Sequence, residues 1–187
     1  MKQVKTRTLI FLHTFIAILF STTFFISNES VAAGLSPDVE NKIALYKKKL
    51  EQWSKDPEIV TAVIKMNTAS ASISNEKWKN LTNNDPLVKR YLSSTVSKKL
   101  STWQEDKSLA KLFLRDKLGN LVAGSKKPAI FNISKRKAFT QASVDSAWHS
   151  KTVKSDPTTN QNAIQISTPV VSEGKKIGVL HTALIIE

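Results

Sequence analysis

The sequence contains no cysteine. That excludes disulfide frameworks, thiolate zinc sites, iron–sulfur clusters and cysteine nucleophiles, and it requires a domain that folds without oxidative help. Glycine is scarce, five in 187 residues, so phosphate-cradling loops have little to be built from. Acidic residues are few: Asp+Glu 15 against Lys+Arg 28 gives a net charge of +13. An excess of this size points to anionic neighbours such as lipid head groups, an acidic partner or a small anion. Nucleic acid is not favoured. The charge is mostly Lys, scattered in groups such as Lys47-Lys48-Lys49, Lys98-Lys99, Lys126-Lys127 and Lys175-Lys176, and no reading motif accompanies it. Much of it reads as a solvated basic surface. With 41% apolar and 23% charged residues, the chain is of ordinary globular composition.

The N-terminus reads as a leader. Met1 to Arg7 is positive, Leu9 to Ile26 is an apolar run, and Ser30-Val31-Ala32-Ala33-Gly34 supplies small residues for signal-peptidase cleavage. Residues 1–33 are therefore expected to be a signal peptide. The run spans 18 residues, long enough to cross a bilayer if left uncleaved as an anchor. Either outcome puts residues 34–187 outside the cytoplasm, periplasmic or secreted. The leader carries a net +2, which leaves +11 on that part. Its length suits one domain.

Residues 36–106 read as helical. Ser36-Pro37-Asp38 provides an N-cap, a proline at the first helical position and an acid at the positive end of the dipole. Val39, Ile43, Tyr46, Leu50 and Trp53 then follow at helical spacing. Asp56-Pro57-Glu58 restarts the helix, which continues through Ile59, Val63 and Met66. Ser74 caps a short helix through Trp78, and Pro86 opens a second long one through Leu87, Tyr91, Val96, Leu100 and Trp103.

Residues 108–187 change to the period of a sheet. Ser108–Arg115 and Leu121–Ser125 read as a hairpin, and Ala163–Val171 and Ile177–Ile186 as another, about the turn Ser172–Lys176. Pro169 requires an edge or a bulge. Residues 126–160 read as a polar loop with short helical turns near 135–140 and 145–150. The expected fold is α+β, an antiparallel sheet of about five strands packed against long N-terminal helices.

Three stretches resemble the extracytoplasmic Cache sensor domains, PAS-like modules of bacterial receptors. Leu112–Ala123 (LFLRDKLGNLVA) looks like that family's first hairpin, with its D-x-x-G-N turn. Ile166–Val171 (ISTPVV) looks like its s-x-P-V strand, and Gly174–Leu180 (GKKIGVL) like its closing strand. The resemblance spans about residues 36–187 and implies one single-Cache, PAS-like sensor domain over 34–187. Members commonly sit between two membrane spans and pass a signal to a kinase, cyclase or methyl-accepting module. Here the sequence stops one residue past the last strand, so the resemblance implies a sensor without its own output module, reporting to a membrane receptor or kinase partner.

The resemblance also implies a small-molecule pocket between the sheet and the segment across it, here 126–160. Arg136, Asp145, Trp148 and His149 lie on that segment and His181 on the last strand; these are the candidate ligand-binding residues. An arginine can clamp a carboxylate in two-pronged fashion, and a tryptophan can form an apolar wall or receive a cation. His181 would line the pocket or respond to pH. Each has a plainer reading: a surface arginine, a core tryptophan, a half-exposed histidine on a sheet. No cofactor or metal is expected, because His149 and His181 alone make no ligand set and Asp116 with Asn120 lacks the repeated acids of a calcium loop. An enzyme is not expected, since no nucleophile elbow or fixed carboxylate pair is present. A small organic anion is the first ligand class to try. The alternative is a protein-interaction module that docks its basic helices on a receptor or envelope partner and binds no ligand. A peripheral protein held on anionic lipid is a third reading. Val39, Ile43, Tyr46 and Leu50 would either pair two copies through the first helix or cover the sheet.

Overall fold

The structure is a computed structural model that describes residues 34–69 and 73–187. The expected signal peptide lies outside the described residues. Residues 34–187 form one compact unit. No helix among the described residues is long and apolar enough to cross a membrane.

Five helices come first: α1 (Pro37–Trp53), α2 (Pro57–Thr68), α3 (Asn75–Asn80), α4 (Pro86–Leu92) and α5 (Thr95–Trp103). Their starts are chemically specified. Asp56, Ser74 and Asp85 accept hydrogen bonds from the backbone N–H of Glu58, Lys77 and Leu87 at 2.9, 3.1 and 2.8 Å. Proline opens α1, α2 and α4, where its missing N–H costs nothing.

The expected continuous helix from Pro86 to Trp103 is two helices. Ser94 caps α5 by accepting from the Ser97 N–H at 3.1 Å, while the Ser97 hydroxyl donates to the Tyr91 carbonyl at 2.6 Å. Both broken ends are thus satisfied locally. Val88, Tyr91, Val96 and Leu100 still all point inward, so apolar spacing carries no mark of the break.

The sheet follows, with β1 (Leu109–Asp116), β2 (Leu121–Gly124), the short α6 (Lys137–Thr140), β3 (Trp148–His149), β4 (Lys154–Ser155), β5 (Asn162–Ser172) and β6 (Lys175–Ile185). The order is β2-β1-β6-β5-β3, with β4 also on β5, and every pairing is antiparallel. Six strands replace the expected five or so because the segment expected as a loop holds two short ones, β3 and β4; Trp148–His149 is extended in place of the expected helical turn. Ser150 fixes it there: its N–H donates to the Gln165 carbonyl at 2.9 Å, and its hydroxyl accepts from the Gln165 N–H at 3.0 Å. Pro169 meets the edge-or-bulge requirement. It lies beyond the residues of β5 that pair with β3, one position before a register shift at Val170/Val171.

The β1–β2 turn is built by Asp116, whose Oδ1 accepts from the N–H groups of Leu118 and Asn120, both at 2.8 Å. Gly119 supplies the positive φ of 83° that the turn needs. Gly178 has a different role: a Cβ there would stand 2.3 Å from the Arg115 carbonyl oxygen, so only glycine lets β6 lie this close to β1.

The sheet separates two environments. On one face Leu112, Leu114, Ile164, Ile166, Leu180 and Leu184 pack against Ile43, Tyr46 and Leu50 of α1, Ile59 and Val63 of α2, and Leu100 of α5. The apolar stripe of α1 therefore covers the sheet. Tyr46 also donates from its hydroxyl to Asp106 at 2.7 Å, and Trp53 stacks on Trp103 at 4.8 Å, tying α1 to the end of the helical half. The other face lies under segment 126–160 and an aromatic cluster of Trp78, Tyr91, Phe113 and Phe131.

Candidate functional site

The second face of the sheet is where charge is buried. On β1 the alternation Lys111, Phe113, Arg115 projects to this face, and all three are almost fully buried. Register brings Phe113 opposite His181 of β6, His181 opposite Ser167 of β5, and Ser167 opposite Trp148 of β3, one row across four strands. Flanking it, Lys111 aligns with Ala183 and Gln165, and Arg115 with Val179 and Pro169.

Asp156, completely buried in the covering segment, organises one end of the cluster. Its Oδ1 accepts from the N–H groups of Thr158 and Thr159 at 3.0 and 3.1 Å, an Asx turn of the Asp-Pro-Thr-Thr sequence. Its Oδ2 accepts from the Lys111 ammonium and, at 3.0 Å, from the Gln165 amide. Desolvation would raise the Asp156 carboxyl, but the Lys111 charge and these hydrogen bonds outweigh it and hold the carboxyl below its usual range. Burial pulls the Lys111 ammonium down more than Asp156 lifts it.

Arg115 organises the other end. Its Nη1 donates to the carbonyls of Phe131 and Ile130 at 2.5 and 3.3 Å, and its Nε donates to Nε2 of His181 at 3.0 Å. All these acceptors are neutral, and no carboxylate among the described residues forms an ion pair with it. Burial pushes the guanidinium down to about 9, partly offset by Asp116, and it remains charged at neutral pH. Burial and then the charges of Arg115 and Lys111 drive the His181 imidazole well below its usual value. His181 is thus neutral, and because Nε2 accepts, its proton is on Nδ1.

Two polar atoms in this row have no partner among the described residues: Nδ1 of His181 and the hydroxyl oxygen of Ser167, on adjacent residues of neighbouring strands. An unpaired buried donor costs about 1–3 kcal/mol. Two together, beside a cation without a counter-ion, form a place where one small acceptor would be held by several donors.

The candidates read from sequence are distributed unevenly. His181 lies at the centre of this cluster, and Trp148 borders it through Ser167. His149, the next residue of a two-residue strand, belongs to the opposite face, where its Nε2 lies 4.0 Å from the Glu40 carboxylate of α1. Arg136 is exposed at the start of α6 with no side-chain capping bond, and Asp145 is exposed at a small cavity of about 210 Å³ near Ser54 and Pro169. The structure brings none of these three to the cluster. Sequence reasoning missed Lys111, Arg115, Asp156, Gln165 and Ser167. The available signal was two cations at period two inside an otherwise apolar strand, LAKLFLRD.

A larger cleft of about 700 Å³ lies on the helical side, floored by Ala62, Met66, Val96, Val122 and Ala123. Its charged groups, Glu58, Lys65 and Arg90, are solvent-exposed, so they offer no desolvated recognition group comparable to Arg115. No group of three or more potential metal ligands occurs among the described residues.

No family model matches the chain, and no curated protein matches it. Solved structures do. The sensor domain of the V. cholerae histidine kinase DctB superposes with a TM-score of 0.52 at 20% identity, over 79% of this chain and 50% of that one. The sensory domain of the Campylobacter jejuni chemoreceptor Tlp3 (CcmL) with isoleucine bound gives 0.43 at 16% identity, over 81% and 64%. The ligand-binding domain of the Pseudomonas fluorescens chemoreceptor CtaA in complex with L-alanine gives 0.37 at 17% identity, over 79% and 58%. The chain spans half the length of the DctB domain. At these identities the likeness is one of fold alone: the α+β arrangement is the one the DctB sensor domain also has.

Proposed function

We propose that residues 34–187 are an extracytoplasmic sensor domain that binds a small organic anion on the second face of the sheet, and that the domain reports the binding to a membrane receptor or kinase partner. Arg115 supplies the charge, and Nδ1–H of His181 and the hydroxyl of Ser167 supply hydrogen bonds. Trp148 borders the site on the outer strand. Segment 126–160, tied down through Asp156 and through Lys176, which donates to the Phe139 and Ala142 carbonyls at 2.7 Å each, is the part that ligand binding would rearrange. No catalytic role is assigned to any of these groups.

The observation that carries this reading is the coincidence of a completely buried guanidinium that has no carboxylate partner, and two buried polar atoms that have none of any kind, among the described residues. Burying such groups is costly unless a ligand completes them. The interaction-module alternative calls for an apolar patch on α1. Leu45 is the one large apolar side chain exposed there, flanked by polar and basic residues, which supports the solute reading instead.

The test is a thermal-shift screen of residues 34–187 against small mono- and dicarboxylates. A carboxylate at a hundred times its dissociation constant adds about 2.7 kcal/mol, several degrees for a domain of this size. The shift should shrink in Ser167→Ala. A flat response to the whole panel overturns the reading and favours a docking module.

A further inference from the structure

Resting on that reading, we infer that Lys111 sets the charge preference of the site: by holding Asp156 it leaves one unmatched positive charge, so the site takes a monocarboxylate and rejects the α-ammonium analogue of the same ligand. Asp156 is the only carboxylate hydrogen-bonded within the cluster among the described residues. Both of its oxygens are occupied, one by the Thr158 and Thr159 amides and one by Lys111 and Gln165.

A ligand carboxylate has Arg115, Nδ1–H of His181 and the Ser167 hydroxyl to meet. An ammonium beside that carboxylate would meet the Nδ1–H donor, the guanidinium and the Lys111 ammonium, and would find no free carboxylate to accept from it. A desolvated cation among cations is costly, and rejection by such a mismatch is a strong form of specificity. A second carboxylate on the ligand fares little better, because Lys111 is already paired.

The experiment is isothermal titration of residues 34–187, a compact unit by itself, with sets that share one skeleton: lactate, isobutyrate and L-alanine, and 2-hydroxyisovalerate with L-valine. The wild-type protein should bind an amino-free member at least about thirtyfold more tightly than its amino acid. Lys111→Met frees the Asp156 carboxylate while Gln165, Thr158 and Thr159 still support it, and should narrow that ratio at least tenfold. Asp156→Asn, which keeps the shape and frees the lysine instead, should raise the affinity for malonate relative to acetate about tenfold. If Lys111→Met fails to fold, Lys111→Gln, which removes the charge but keeps a hydrogen-bond donor for Asp156, is read in its place and should narrow the ratio in the same direction. Equal binding of the two members, or preference for the amino acid, overturns the inference while leaving anion binding intact. An unchanged ratio in a folded Lys111→Met protein also overturns it. If no carboxylate of any kind binds, the reading beneath it fails and the inference falls with it.

Discussion

Nε of Arg115 donates to Nε2 of His181 across the β1–β6 ladder at 3.0 Å. This one bond fixes the tautomer of the histidine, and so turns its Nδ1–H toward the row that also holds Ser167. It also makes acid the natural antagonist of the site. A protonated His181 has no lone pair left for Arg115 and would set two cations against each other.

Stability should therefore depend on pH in a way that His181 determines. An imidazole whose pKa is lowered by folding protonates more readily in the unfolded chain, so acid favours unfolding. The loss begins near the unfolded value, about 6.5, and continues as pH falls toward the native one. Between about pH 7 and pH 5 the Tm of the wild-type protein should fall more steeply than that of His181→Gln, as followed by circular dichroism. Equal slopes would contradict the burial and neutrality of His181 in this fold.

The Lys111–Asp156 pair should be costly to break from one side. Asp156→Ala leaves a buried ammonium without its partner and undoes the Asx turn, and should cost about 3–5 kcal/mol in urea unfolding. Lys111→Met with Asp156→Leu in the same chain should cost less than Asp156→Ala alone, since no unpaired charge remains. The reverse order would mean that the pair is worth more than its desolvation.

Gly178→Ala tests the close approach of β6 to β1. The added methyl would meet the Arg115 carbonyl at 2.3 Å and Val63 at 2.8 Å, and the strands cannot separate without opening the ladder. A loss of about 2–3 kcal/mol is expected, against about 1 kcal/mol for Gly174→Ala, where a Cβ meets nothing within 4 Å and only the φ of 70° strains the new side chain.

Much of the fold was legible in the sequence because caps and periods are local. Ser36-Pro37, Asp56-Pro57 and Asp85-Pro86 mark helix starts, and both hairpins were found within two residues at each strand end. The break at Ser93–Ser94 was hidden because both halves keep their apolar residues on one side. The site was harder for a different reason. The alternation Lys111, Phe113, Arg115 is also the pattern of a solvated strand face, and periodicity cannot say that a distant segment covers it. Only the tertiary position of Asp156 and Phe131 turns these cations into buried ones. His181 could be singled out because a lone histidine in IGVLHTALII interrupts an apolar strand. Arg136 and Asp145 share only their segment with the cluster, and the segment covers it with its backbone and with Asp156 instead.

Ser94→Ala should cost about 1 kcal/mol by removing the α5 cap, with no change in carboxylate affinity, because Ser94 lies on the helical side of the sheet. Chemical unfolding and the thermal-shift panel together check both parts. A loss of affinity in this variant would point to the cleft between α2, α4 and α5 as the place of binding.

The most direct test of anion recognition follows the Nδ1–H proton of His181 by NMR while a carboxylate that raises Tm is titrated. This resonance should move downfield as the ligand accepts its hydrogen bond, with a midpoint equal to the dissociation constant from calorimetry. A resonance that stays in place while the ligand saturates would put the binding elsewhere and contradict the role assigned to Arg115, His181 and Ser167.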